Sequence, residues 1–88
     1  MEFQYEKSRI FALDASGKVI AEITFPVSDG YAVIDHTFVD SSLRGQGVAG
    51  KLVTAAVAEI RKSGLKAKPV CSYAAKWFEK HPDEADLL

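Results

Sequence analysis

From Val19 onward apolar side chains recur at every second position. Val19, Ala21, Ile23 and Phe25 alternate with Ile20, Glu22 and Thr24, the period of a strand with one face on a core. Residues 18–27 and, before them, residues 8–13 are therefore predicted strands. Asp14-Ala15-Ser16-Gly17 between them supplies the short polar residues and the glycine of a tight reversal, so the pair reads as a hairpin. Pro26 and Ser28-Asp29-Gly30 end the second strand. Alternation resumes over residues 31–39 and places Ile34, His36 and Phe38 on one face of a third antiparallel strand.

The period lengthens at Val48. Ala49, Leu52, Val53, Ala56, Val57 and Ile60 form the apolar stripe of a helix about four turns long. Arg61-Lys62-Ser63-Gly64 carries its stop signal: basic residues in the last turn, then a glycine free to take positive φ. Residues 67–71 read as a short strand. Ser72 is placed to cap a second helix carrying Tyr73, Ala74, Trp77 and Phe78, which Pro82 ends. A strand, a helix and another strand in succession normally close a parallel pair through a right-handed crossover. The predicted fold is α+β with a three-layer, α/β-like mixed sheet, in the order β-β-β-α-β-α.

Length and composition narrow this picture. The 88 residues suit one domain spanning 1–88, and 48% apolar with 26% charged residues is the balance of a chain that folds around a core. No apolar run approaches the roughly 20 residues needed to span a bilayer. The opening Met1-Glu2-Phe3-Gln4-Tyr5-Glu6 lacks the basic start and apolar stretch of a secretory signal. The single cysteine, Cys71, excludes an internal disulfide and a cysteine-built zinc site, so the expected setting is the cytoplasm and no metal is expected. Net charge is −1 but unevenly spread: residues 44–68 hold six basic groups against Glu59 alone. That segment prefers an anion, and a phosphorylated ligand of modest size fits it better than a nucleic-acid backbone.

The expected seat for such an anion on chemical grounds is Arg44-Gly45-Gln46-Gly47-Val48-Ala49-Gly50, which follows a strand and opens the first helix. Glycines let the backbone approach an anion closely, and first-turn N–H groups and the helix dipole point to the same spot. The spacing is neither the dinucleotide fingerprint nor the Walker loop with its Lys-Ser/Thr. Read alone, the glycines could equally make a plain tight turn.

The context decides between these. Arg44-x-x-Gly47-x-Ala49 resembles the R/Q-x-x-G-x-G/A signature of the GNAT acetyltransferase superfamily, with the strand before it and the amphipathic helix after it that the superfamily would place there. Three segments narrow the resemblance to the small YjdJ-like branch, whose members lack the first helices of longer enzymes: Ile34-Asp35-His36-Thr37-x-Val39, the glycine loop, and Pro69-Val70-Cys71-Ser72-Tyr73 with a later His81-Pro82. The resemblance implies a minimal GNAT fold and an acetyl-coenzyme A site. Backbone amides from Gly45 to Gly50, with Arg44 and Val39, would hold the cofactor. Its pantetheine arm would lie where the third strand and the strand ending at Cys71 splay apart. One position departs from the branch: His36-Thr37-Phe38-Val39 stands where His-Thr-Glu-Val is usual, so an acidic side chain is missing.

Three residues are candidates for chemistry. Cys71 by itself is a small buried hydrophobe as readily as a nucleophile, but at a strand-to-helix junction the dipole can stabilise its thiolate. The resemblance also implies an active-site place for it, either accepting the acetyl group or giving a proton to the departing thiol. His36 is either a hydrogen-bonded core residue or the base that deprotonates an ammonium acceptor. Tyr73 either fills the core or protonates a leaving thiolate. Lys51 reads as solvating its helix or touching a phosphate, Asp35 as solvent-facing, and His81 as a helix-end residue.

The expected function is acetyl transfer from acetyl-coenzyme A to an unidentified amine, with strand N–H groups polarising the thioester carbonyl. A non-catalytic acyl-coenzyme A-binding module is the first alternative, and an interaction domain for protein or nucleic acid using residues 61–68 the second. No membrane partner is expected, and the chain is read as a monomer or weak dimer.

Overall fold

The computed structural model describes residues 1–88. Strands β1 (Gln4–Glu6), β2 (Arg9–Leu13), β3 (Val19–Thr24), β4 (Val27–Ser28), β5 (Tyr31–Ile34) and β6 (His36–Val39) come first. A 3-10 turn at Ser41–Leu43 leads into helix α1 (Val48–Lys62), followed by β7 (Lys66–Pro69), α2 (Ser72–Lys80) and a 3-10 segment at Pro82–Leu87. The strands form two sheets, one antiparallel in the order β1-β2-β3-β6 and one in the order β4-β5-β7. The expected parallel pair is β5 with β7, joined across α1. The α+β class stands, with β1, β4 and the two 3-10 segments added to the predicted elements.

Helix α1 is the organiser of the core. Val48, Leu52, Val53, Ala56, Val57 and Ile60 are buried in one cluster with Ile10, Ala12, Ala21 and Ile23 of the first sheet and Ala32, Ile34 and Ala67 of the second. Each fully buried Leu, Ile or Val contributes roughly 1.5–3 kcal/mol. Val48, rather than the half-buried Ala49, begins the buried stripe. The helix ends as its sequence requires: Gly64 has φ +72°, its N–H bonds to Arg61 O at 3.1 Å, and the Leu65 N–H bonds to Ile60 O at 3.2 Å. This pair of bonds satisfies the last carbonyls in a Schellman closure. Ala74, Trp77 and Phe78 of α2 complete the cluster.

Two corrections concern the strands and caps. The third strand is not continuous over 31–39. It breaks at Asp35 into β5 and β6, which pair in different sheets. Ala32 and Ile34 are buried, Asp35 and His36 are both exposed, and Thr37 and Val39 are half-buried, so the alternation slips by one residue at the break. An extra residue in a strand has this effect, and it overturns the shared face of Ile34, His36 and Phe38. Polar groups fix the slip: Thr24 Oγ1 donates to Asp35 Oδ1 at 2.6 Å, and Ile34 O accepts from both Val70 N and Cys71 N, at 3.0 and 2.9 Å. At the second helix the cap position is Cys71, with Ser72 the first helical residue. The preceding strand covers Lys66–Pro69, short of the predicted 67–71.

The C-terminal 3-10 segment is pinned back onto α1. Arg61 reaches Asp86 at 2.8 Å and Glu84 at 2.6 Å, Lys66 Nζ donates to Asp86 O at 2.6 Å, and Leu87 is buried. No helix is long and apolar enough to cross a membrane.

Candidate active site

The glycine loop enters α1 through two left-handed residues, Gly45 at φ +79° and Gly47 at φ +68°. An L side chain is strained there, which explains glycine at both positions. Gly47 is the cap residue, and having no side chain it offers no acceptor to the first turn. The N–H groups of Gly45, Gly47, Val48, Ala49 and Gly50 consequently donate to nothing within the protein. The first turn of α1 carries no acidic residue. Five unpaired donors at and just before a positive helix end make a cradle for a phosphate-like anion.

A groove of about 650 Å³ runs from this cradle between α1 and α2. Small residues on α1, Gly50, Thr54, Ala55 and Ala58, keep it open, and Tyr73, Lys76, Trp77 and Lys80 of α2 form the facing wall. Lys51, Lys76 and Lys80 line it without any carboxylate. Tyr73 meets the cradle directly, since a methyl built on Gly50 would lie 3.5 Å from its hydroxyl. At the far end His81 stacks on Trp77 at 3.9 Å between centroids, with its Nδ1 2.7 Å from Trp77 O.

Cys71 lies apart from this groove, at the gap between β6 and the end of β7. Pairing of Asp40 N with Ile20 O and the antiparallel register of β6 on β3 turn the N–H groups of His36, Phe38 and Asp40 toward β3. Those of Thr37 and Val39 point the other way, into the gap, where no backbone carbonyl receives them. Cys71 Sγ sits 3.5 Å from Thr37 Oγ1. Partial burial pushes the thiol up, but the Thr37 hydroxyl and the N–H groups of Ala74, Tyr73 and Thr37 outweigh it and hold Cys71 below the ordinary thiol value. The Ala74 and Tyr73 N–H groups face the sulfur without closing a capping bond, and act on it as dipoles.

The sequence-predicted residues therefore divide into three groups. Gly45 to Gly50 and Tyr73 come together at the cradle. Cys71 is held beside Thr37, on the face of β6 that Val39 shares. His36 points from the opposite face of β6, is exposed rather than a core residue, and lies 3.4 Å from Glu22 Oε1. Arg44 is exposed, and Asp35 forms the strand break. Two features were missed. The rest of the groove face of α2, Lys76, Trp77 and Lys80 beside Tyr73, follows i, i+3, i+4, i+7 spacing and was readable from the sequence. Thr37 was not, because strict alternation from Ile34 turns it away from Cys71.

Residues 9–87 match the GCN5-related N-acetyltransferase family. The solution structure of a GCN5-like candidate N-acetyltransferase from Staphylococcus aureus is similar at 34% identity and TM-score 0.79, over 98% of this chain and 85% of that one. A crystal structure of a candidate acetyltransferase from Agrobacterium tumefaciens matches at 25% identity and TM-score 0.65, over 82% of this chain and 55% of that one. A Bacillus halodurans protein, crystallised as a tetramutant, shares the fold at 19% identity and TM-score 0.54, over 85% of this chain and 57% of that one. No curated protein matches the sequence significantly. The chain belongs to the GCN5-related N-acetyltransferase family, the superfamily that the glycine loop resembles.

Proposed function

We infer that the protein binds acetyl-coenzyme A and transfers its acetyl group to an amine. The observation that carries this reading is the cradle of five unpaired N–H groups opening onto a groove with three lysines and no carboxylate. That donor set matches a pyrophosphate, and the groove matches a ligand bearing further phosphate. Tyr73, against Gly50, belongs to this cradle.

Acetyl-coenzyme A supplies the activated acetyl thioester. The Val39 N–H, free in the gap, is set to receive the oxyanion that forms when the carbonyl is attacked. Cys71, with its thiol held low, is the nucleophile that takes the acetyl group first. His36, on the open side of β6, takes the proton of the incoming ammonium, with Glu22 orienting the ring. A single free cysteine at such a site suits a reducing compartment, the cytoplasm.

The separation of His36 from Cys71 and the presence of Phe38 favour one second reading, an acyl-coenzyme A-binding module without turnover. Titration of labelled protein with acetyl-coenzyme A, read by backbone amide shifts with intact mass in parallel, separates the outcomes. Shifts over 45–50 with an acetyl mass on Cys71 support transfer, and shifts without mass gain or turnover support the module. No shift at saturating ligand overturns both. Undiminished turnover in a His36→Ala, Cys71→Ala double variant would remove the catalytic assignment alone.

A further inference from the structure

The slip in alternation at Asp35 turns Thr37 inward, toward a residue 34 positions away. Thr37 there offers two groups to one sulfur: its hydroxyl, which accepts from the Cys71 thiol at 3.5 Å and turns to donate once the thiol ionises, and its own N–H, which β3 leaves unpaired. The cysteine backbone is fixed as well, because the Cys71 N–H bonds to Ile34 O at 2.9 Å, just before the break. Both ends of the contact are thus fixed by the same strand irregularity. The groups that lower the thiol most are neutral: the Thr37 hydroxyl and N–H on β6 and the Ala74 and Tyr73 N–H groups on the first turn of α2.

We propose that Thr37 is a positioning residue for Cys71, its hydroxyl and backbone N–H holding the sulfur at the β6–β7 gap in line for attack on a thioester. The proposal rests on the acetyl-transfer reading for its purpose, though not for its test. In the step concerned a bond forms between Cys71 sulfur and the acetyl carbon. The bond from that carbon to the coenzyme A sulfur breaks, and its electron pair leaves on the coenzyme A sulfur, which is protonated from water. The Cys71 sulfur must be anionic and unable to swing away, and one hydroxyl hydrogen bond serves both needs. Without that hydroxyl, burial works against the anion with less to oppose it.

The test is the pH profile of Cys71 alkylation by iodoacetamide in the full chain, with no coenzyme A present. Thr37→Val removes the hydroxyl while keeping shape and the N–H, and Thr37→Ala does the same should valine disturb the gap. Either is expected to slow alkylation at pH 7 roughly tenfold and move the profile to higher pH, the scale of one hydrogen bond to a charged group. Thr37→Ser is expected to stay within about twofold of the parent, because it keeps the hydroxyl that carries the effect. Unchanged profiles in both hydroxyl-free variants, with native amide spectra, overturn the proposal. Acetyl-coenzyme A shifts at residues 45–50 report separately on the acetyl-transfer reading. Slowed alkylation in a protein that binds no acetyl-coenzyme A would sink that reading and leave the Thr37–Cys71 link standing.

Discussion

Glu22 on β3 is the direct cross-strand partner of Phe38 on β6. The carboxylate that position 38 lacks is therefore present one strand away, on the same face, where Glu22 accepts from Arg9 Nε at 2.6 Å and lies 3.4 Å from His36 Nε2. Writing glutamate into position 38 would set two carboxylates opposite each other. Phe38→Glu is expected to lower stability by about 0.5–1 kcal/mol, the scale of a cross-strand pair. Most of that loss should vanish in a Glu22→Gln background. Urea unfolding of the four proteins in a double-mutant cycle checks this, and strict additivity would refute it.

The two kinds of glycine in the loop should respond differently to alanine. Gly47 is left-handed at φ +68°, so Gly47→Ala is expected to cost about 1–2 kcal/mol and to distort the cradle. Gly50 is helical, and its added methyl would make only an ordinary contact with Tyr73. Gly50→Ala should gain up to about 1 kcal/mol of stability from helix propensity while crowding the groove. Thermal unfolding and acetyl-coenzyme A titration run together should show stability and affinity falling for Gly47→Ala but diverging for Gly50→Ala.

Local rules made much of this fold legible. The β2–β3 hairpin, the α1 stripe and the Gly64 stop follow from periodicity and turn chemistry acting over a few residues. The glycine loop was legible for the same reason, since its free N–H groups depend only on the residues that enter the helix. What escaped is non-local. The break at Asp35 depends on Ile34 O being claimed by Val70 and Cys71, some 36 residues later in the chain, and periodicity within 31–39 carries no trace of that competition. His36 and Thr37 were consequently turned to the wrong sides. The short strands β1 and β4 escaped because three and two residues hold too little alternation to register.

The Arg61 clasp predicts an acid-sensitive C-terminus. Hydrogen bonding to Arg61 holds the Asp86 carboxyl below its ordinary value of 3.8. A carboxyl lowered in the folded state stabilises it fully above the unfolded value and loses that contribution as pH falls through the folded value. The difference in melting temperature between the parent and Arg61→Ala should therefore be constant near neutrality and shrink as pH drops below about 4. A difference that does not change between pH 7 and pH 2 would mean that Asp86 is not what Arg61 holds. Amide exchange over 82–87 should rise in Arg61→Ala at pH 7, because the segment loses two of its anchors.

Lys76 and Lys80 test whether the groove reads phosphate. They lie one turn apart on α2 and face the same space as Lys51, with no acidic residue among them. Their ammonium groups are solvated, so each contributes a modest and salt-dependent attraction, about 0.5–1 kcal/mol at low ionic strength. Lys76→Gln and Lys80→Gln should each weaken acetyl-coenzyme A binding by about twofold to fivefold, and the loss should fade as salt rises toward 1 M, where screening acts within about 3 Å. Acetyl-pantetheine, which keeps the thioester but carries no phosphate, should bind the parent and both variants alike. If the lysine variants weaken acetyl-pantetheine as much as acetyl-coenzyme A, the groove is recognising the arm through packing rather than the phosphates through charge.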